Sequence, residues 1–158
     1  MTLEEIYLDN YPIVFGYLLS LCGDPVEAEE LTAQTFFKAV ENIRKYDKSC
    51  KPSTWLCTIA RNLYLNECKR KKRHAPLDEA HLSVNNLEEI YIEKDMAKCI
   101  YGIAASLESP YREVFFLRME GLNFREIGTI LERTENWARV TYYRAKTKIQ
   151  EETGEKDG

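Results

Sequence analysis

Residues 123–148 read NFREIGTILERTENWARVTYYRAKTK, and the punctuation of this stretch decides the fold of the C-terminal half. Asn123 followed by Glu126 has the spacing of a capping box, in which each side chain satisfies the other residue's backbone N–H at a helix start. Phe124, Ile127, Ile130 and Leu131 then recur at helical spacing, so a short helix is expected over 123–131. Gly128 sits inside it. A glycine there costs about 1 kcal/mol relative to alanine, and close approach of the neighbouring helix would offset that. Thr134 is a second N-cap and opens a helix over 134–151. On a wheel of 100° per residue, Ala138, Tyr142, Ala145 and Ile149 fall along one line with Thr141 beside them. Trp137, Arg139, Val140, Tyr143 and Arg144 fall on the flanks and back. Tyr142 is thus assigned to packing and Tyr143 to the outside. A short helix, a tight turn and a capped helix carrying bases make a helix-turn-helix, whose second helix enters the major groove. Exposed bases alone describe a solvated face equally well; the short capped helix in front favours DNA.

Outward from this stretch, apolar residues keep recurring at three and four, and β-branched alternation is absent. Helices are expected at about 3–21, 25–44, 53–73, 87–105 and 110–119, with starts at Asp24-Pro25 and Ser109-Pro110. In the last of these, Ser109 caps, Pro110 takes the first helical position and Gly121 ends the helix. HAPLDEAHLSVNN has a proline, few large apolar residues and no periodicity, which makes it the linker. The fold class is therefore all-α: two small helical domains joined by a flexible linker, the C-terminal one a winged-helix-like helix-turn-helix. Residues 1–74 form the first domain, 75–86 the linker and 87–158 the second. A chain of 158 residues so divided leaves each domain a thin core.

Charge carries the functional signal. The net charge of −4 conceals two basic islands: residues 61–74 hold six bases against one acid, and residues 133–148 hold five against one. Net charge alone does not draw nucleic acid to an acidic chain, so two separate local footprints are implied. In PSTWLCTIARNLYLNECKRKKRH, the apolar line Trp55, Leu56, Ile59, Leu63 continues at Asn66 and Arg70, so one helical face passes from apolar to basic. Complementing the helix dipole needs one or two bases, whereas Lys69 to Arg73 are all basic; a phosphate-tracking surface accounts for the excess. Tyr46, Trp55 and Tyr64 nearby are either packing residues or stacking platforms for unpaired bases.

Other classes find less support. No apolar run approaches the roughly 18 residues of a membrane span, and MTLEEIYLDNY carries acids where a secretory signal carries bases; a soluble, cytoplasmic protein is expected. Cysteines at 22, 50, 57, 68 and 99 form no CxxC pair, which points to buried thiols rather than a disulfide or zinc framework. A phosphate-binding glycine loop, an HExxH motif and a nucleophile-base pair are all missing, and the two histidines, His74 and His81, fall in the linker. Neither a catalytic residue nor a metal site nor a cofactor is expected. A self-sufficient helix-turn-helix regulator with a sensing N-terminal domain remains an alternative, but it leaves the Lys69–Arg73 run unexplained.

Three segments, YPIVFGYLLSLCGDPVEAEELTAQTFFKAVENI, STWLCTIARNLYLNECKRKKR and SLESPYREVFFLRMEGLNFREIGTILERTENWARVTYYRAKTKI, occur in that order with an acidic linker between. Together they resemble the extracytoplasmic-function (group IV) sigma factors of bacterial RNA polymerase. The resemblance implies that the first domain corresponds to sigma region 2 and the second to region 4. It implies that Glu30, Thr32, Gln34, Thr35 and Lys38 grip the clamp of the polymerase β′ subunit, with the β flap a further contact. Lys51, Ser53, Trp55, Asn62, Asn66, Lys69 and Arg70 would capture the opened minus-ten strand, flipping a base into a pocket. Arg139, Val140, Tyr143 and Arg144 would face the minus-35 duplex, with Thr134 and Trp137 on phosphates. An anti-sigma protein that covers both domains is a further implied partner. Glu132 and Arg133 stand where the family has a glycine and an apolar residue, and Val140 and Thr141 replace a small polar and a basic one, so promoter preference does not transfer from relatives.

Overall fold

A computed structural model describes residues 2–74 and 102–154, and the described residues contain helices and connecting turns without a strand. Six helices carry the fold: α1 Leu3–Cys22, α2 Pro25–Glu41, α3 Pro52–His74, α4 Tyr111–Met119, α5 Phe124–Leu131 and α6 Glu135–Thr153. A 3-10 turn at Ile43–Lys45 follows α2, and residues 102–106 are helical ahead of α4. The all-α reading holds. The expected linker 75–86, most of the helix expected at 87–105, His81 and Cys99 lie outside the described residues. His74 ends α3.

Local chemistry sets the boundaries. Thr2 and Glu5 form a capping box on α1, and Asp24 accepts from Val26 N–H at the start of α2. The expected capping box of α5 is present, with Asn123 N–H donating to Glu126 at 2.8 Å and Glu126 N–H donating to Asn123 at 2.8 Å. Thr134 caps α6 by accepting from Trp137 N–H at 3.0 Å. At α4 the expectation shifts: Pro110 occupies the cap, the helix begins at Tyr111, and the Ser109 hydroxyl donates to the Glu113 carboxylate instead. Gly121 just past that helix has a φ of +98°.

Gly128 is buried, and a Cβ there would lie 2.7 Å from the Arg133 carbonyl oxygen and 2.9 Å from that of Thr134. The close neighbour is therefore the turn leading into α6 rather than the helix itself. Glu132, in the position where a glycine is usual, adopts the left-handed conformation at φ 60°.

Packing joins the two helical units. α1, α2 and α3 pack mutually, α4, α5 and α6 do likewise, and α1 also meets α4 while α3 meets α5. One apolar cluster therefore runs from Val14, Leu18 and Leu31 through Leu56, Cys57 and Ala60 into Val114, Leu117, Leu122 and Ile127. Each fully buried leucine or isoleucine contributes about 1.5–3 kcal/mol, and three-helix layers this small bury too little alone. Sharing a core answers that shortage. A second cluster, Ala104, Leu107, Phe115, Phe116, Ala145 and Ile149, seats α6 on α4.

Candidate nucleic-acid interface

The wheel drawn from the sequence of α6 is the face the structure presents. Ala138, Thr141, Ala145 and Ile149 are buried, and Tyr142 is half-buried against Phe115 and Phe124. Arg139, Val140, Tyr143 and Arg144 are exposed, Tyr143 by 52%. Together with Tyr111 and Thr147 they line a shallow concavity of about 730 Å³ along the helix. Thr134 is exposed at the helix start and Trp137 is half-buried, with the Arg133 guanidinium 5.1 Å from its ring.

One organising residue of this face escaped the sequence reading. Phe124 at the start of α5 lies beneath two guanidinium groups, Arg118 at 4.6 Å and Arg139 at 5.3 Å, and 6.2 Å from the Tyr143 ring. Cation–π attraction holds a guanidinium over a ring face, and Glu135 holds Arg139 from the other side at 3.1 Å. Arg139 is thereby aimed before any ligand arrives. Its signal in the sequence was present, since Phe124 opens the capped helix, but it was counted only as an apolar position.

The second basic surface is the solvent side of α3 and the loop before it. Asn62, Asn66, Lys69 and Arg70 are exposed on α3. Lys69, Lys72 and Arg73 make no ion pair among the described residues, whereas Arg70 is bound to Glu67 at 2.6 Å and Lys71 to Glu27 of α2 at 2.9 Å. Such exposed pairs are worth little and give way to a phosphate. Trp55 stacks on Tyr46 at 4.6 Å, and the Tyr46 hydroxyl donates to the Cys50 carbonyl. These two rings brace the loop. Tyr64 is a packing residue whose hydroxyl donates to the Leu21 carbonyl at 3.2 Å. Inside the loop, Asp47 accepts from Ser49 N–H, a bond that holds its carboxyl below the usual range, and Lys48 is left-handed at φ 65°.

Some assignments are corrected. Ser53 is buried, so its hydroxyl is not on the surface a strand would touch. On α2, Glu30, Gln34 and Lys38 form one exposed stripe, but Thr32 and Thr35 are wholly buried. Their hydroxyls donate to the Ala28 and Leu31 carbonyls at 2.7 and 2.8 Å, which satisfies them within the helix and removes them from any partner surface. The spacing of Ala28, Leu31, Thr32, Thr35 and Ala39, all on one helical face, held that information. Phe37, 67% exposed, takes their place on the outer face. The cysteines are mixed: Cys57 is buried and its thiol pushed up by burial and then by the charge of Glu120, Cys22 is partly buried and pushed up to about 11, and Cys68 is exposed.

Where the loop before α3 meets α5 lies a cleft of about 1080 Å³ lined by Tyr46, residues 48–52 and, from the α5 region, Asn123, Arg125, Glu126 and Thr129. Lys51 spans it to Glu126 at 3.2 Å. Nearby, Glu113 is buried between the Tyr17 hydroxyl at 2.9 Å, the Ser109 hydroxyl at 2.9 Å and the Arg61 guanidinium at 3.6 Å. Among the described residues no helix is long and apolar enough to cross a membrane, and no group of His, Cys, Asp and Glu is placed to hold a metal ion.

Comparison with known proteins matches residues 6–74 to Sigma-70 region 2 and residues 97–149 to Sigma-70, region 4. The ECF RNA polymerase sigma factor SigM of Bacillus subtilis is 27% identical over 95% of this chain and 94% of its own length. SigW of the same organism is 25% identical over 94% of this chain and 85% of its own length. Among solved structures, the sigma factor RpoE of Bartonella quintana, crystallised in complex with the anti-sigma factor NepR, has the same fold: TM-score 0.73, 19% identity, 94% of each chain covered. With two basic surfaces on two helical units and both sigma regions matched in order, the chain belongs to the sigma-70 family of RNA polymerase sigma factors, in its extracytoplasmic-function group.

Proposed function

We propose that this chain is an alternative sigma subunit that binds core RNA polymerase in the cytoplasm, brings it to particular promoters and itself catalyses no reaction. The observation that carries this reading is the pair of basic surfaces, one on a preformed recognition helix and one on a helix and loop suited to a single strand. Residues 1–74 act as region 2, 75–86 as the linker and 87–158 as region 4. In region 4, Arg139, Val140, Tyr143 and Arg144 read the minus-35 duplex from the exposed face of α6, with Thr134 and Trp137 against phosphates. In region 2, Lys51, Trp55, Asn62, Asn66, Lys69 and Arg70 take up the opened minus-ten strand. Glu30, Gln34 and Lys38 meet the polymerase clamp, with Phe37 supplying the apolar contact, while region 4 meets the β flap. An anti-sigma protein that covers both units would hold the chain inactive.

Transcription by purified core polymerase with and without the chain tests the reading. A defined start dependent on the chain is expected, and identical transcripts in both reactions would overturn it. Replacing Lys69 and Arg70 by alanine should reduce permanganate reactivity of thymines in the minus-ten region; unchanged reactivity removes the strand-capture role from α3.

A further inference from the structure

The bases of α6 do not all lie on one face. Lys146 and Lys148 are two positions apart, about 200° round a helix, and so stand on opposite flanks of the exposed face that centres on Tyr143 and Thr147. We infer that these two lysines grip backbone phosphates on the two strands of a duplex, one on each wall of the major groove, and that Tyr111 of α4 holds Lys148 in place for this. The inference rests on the assignment of α6 to the minus-35 duplex and adds the contacts that seat the helix there.

Dimensions favour a straddle. With its side chains an α-helix is about 10–12 Å across, and the major groove is about 12 Å wide. A helix that points one face at the base edges therefore brings its flanks to the two sugar-phosphate walls. Both lysines are exposed, and each lies over an aromatic ring: Lys148 at 5.0 Å from Tyr111 and Lys146 at 5.9 Å from Tyr143. Neither is in an ion pair among the described residues, whereas Arg139 is bound to Glu135. The distinction matters, because a ring orders an ammonium without cancelling its charge. A lysine so held gives up less freedom when it meets a phosphate, and its charge is free to do so.

Tyr111 is fixed from behind. It is half-buried at the start of α4 and packs against the apolar cluster that seats α6 on that helix. With Lys148 it extends the concavity past the four residues assigned to base reading, and the charged residues lining that concavity are Arg139, Arg144 and Lys148 against Glu151 alone. The balance favours an anion. Phosphate contacts fix register and orientation on a duplex but carry no sequence information directly. Arg139, Val140, Tyr143 and Arg144 thus read, while Lys146 and Lys148 seat the helix so that they can.

The holoenzyme, this chain with core polymerase, is tested on a promoter whose start the transcription assay defines, with binding measured at several salt concentrations. Lys146→Ala and Lys148→Ala should each lower the slope of log K against log salt by about 0.9, and together by about 1.8, with the ranking of minus-35 variants unchanged. An unchanged slope in either variant, or a changed ranking, overturns the inference. Single uncharged methylphosphonate linkages, walked along each strand of the minus-35 element, then locate the contacts. One linkage that weakens the wild type should cost the Lys148→Ala chain nothing, and another on the opposite strand should cost the Lys146→Ala chain nothing; both on one strand would remove the straddle. Tyr111→Leu keeps the cation and loses the ring, and should weaken binding about threefold, while Tyr111→Phe binds as the wild type does. Equal losses in the two would overturn the positioning role of the ring. Initiation reads the sigma role separately: a wild-type chain that starts no transcript overturns that role, whereas one that initiates with slopes indifferent to both lysines overturns only the phosphate contacts.

Discussion

The two basic surfaces differ in how they are held. On α6, Arg139, Val140, Tyr143 and Arg144 are exposed, and local contacts organise the face, Phe124 and Glu135 around Arg139 and Thr134 at the cap. The loop before α3 is braced by Tyr46 on Trp55, and its Lys51, largely exposed, pairs with Glu126 of the other unit. A duplex needs no rearrangement to be read in its groove, so a rigid, open helix suits it. The difference lies between a surface built from neighbours in sequence and one governed by distant partners.

Several substitutions break or sharpen this comparison. The largest effect is expected at Gly128, where a Cβ would meet backbone oxygens that cannot move aside. Gly128→Ala should destabilise the chain by about 3 kcal/mol, visible as an earlier urea midpoint, and should disable the α6 surface first. Next comes the reading itself. Arg139→Ala should change discrimination between minus-35 sequences by about 1–3 kcal/mol, whereas Lys69→Ala should weaken all promoters alike and lower the salt slope by about 1. Competition binding across a promoter set at several salt concentrations separates the two. Phe124→Leu keeps an apolar residue but loses the ring face, and should reproduce part of the Arg139 effect; unchanged discrimination would show that Arg139 needs no such support.

A smaller, pH-dependent effect belongs to the contact between the units. Burial lifts the carboxyl of Glu120, which faces Cys57 of α3, from its ordinary 4.5 to about 7. Between those values the folded chain holds a proton that the unfolded chain has released, so stability falls as pH rises through the window and the full penalty is present above pH 7. Glu120→Gln should therefore raise the melting temperature more at pH 8 than at pH 4, by the equivalent of about 1 kcal/mol after allowance for its partial exposure. The smallest effect is at the turn of the helix-turn-helix. Glu132→Gly relieves a left-handed non-glycine residue and should stabilise by up to about 1 kcal/mol, leaving the minus-ten loop as it was; thermal melts of the two chains decide it.

Much of this was legible from residue order, and the reason is distance along the chain. The Asn123–Glu126 box, the Thr134 cap and the alternation of Tyr142 and Tyr143 between core and solvent depend on partners three or four residues away, where helix geometry alone fixes the outcome. The inward turn of Thr32 and Thr35 was equally local, and was missed because their chemistry was read before their spacing. Other features had no such local signal. Glu113 looks like an ordinary first-turn acid of α4 until the fold brings Tyr17 and Arg61 to it, and Glu126 looks like a cap until Lys51 arrives. Sequence by itself determined the all-helical class, the helix-turn-helix and which face of α6 looks outward, because hydrogen bonds and side-chain periodicity act over a single turn. Only the tertiary structure decided that the two units share a core and that Glu113 and Glu126 find partners on the other unit, because burial of apolar surface and the pairing of charges far apart in the chain depend on which faces meet.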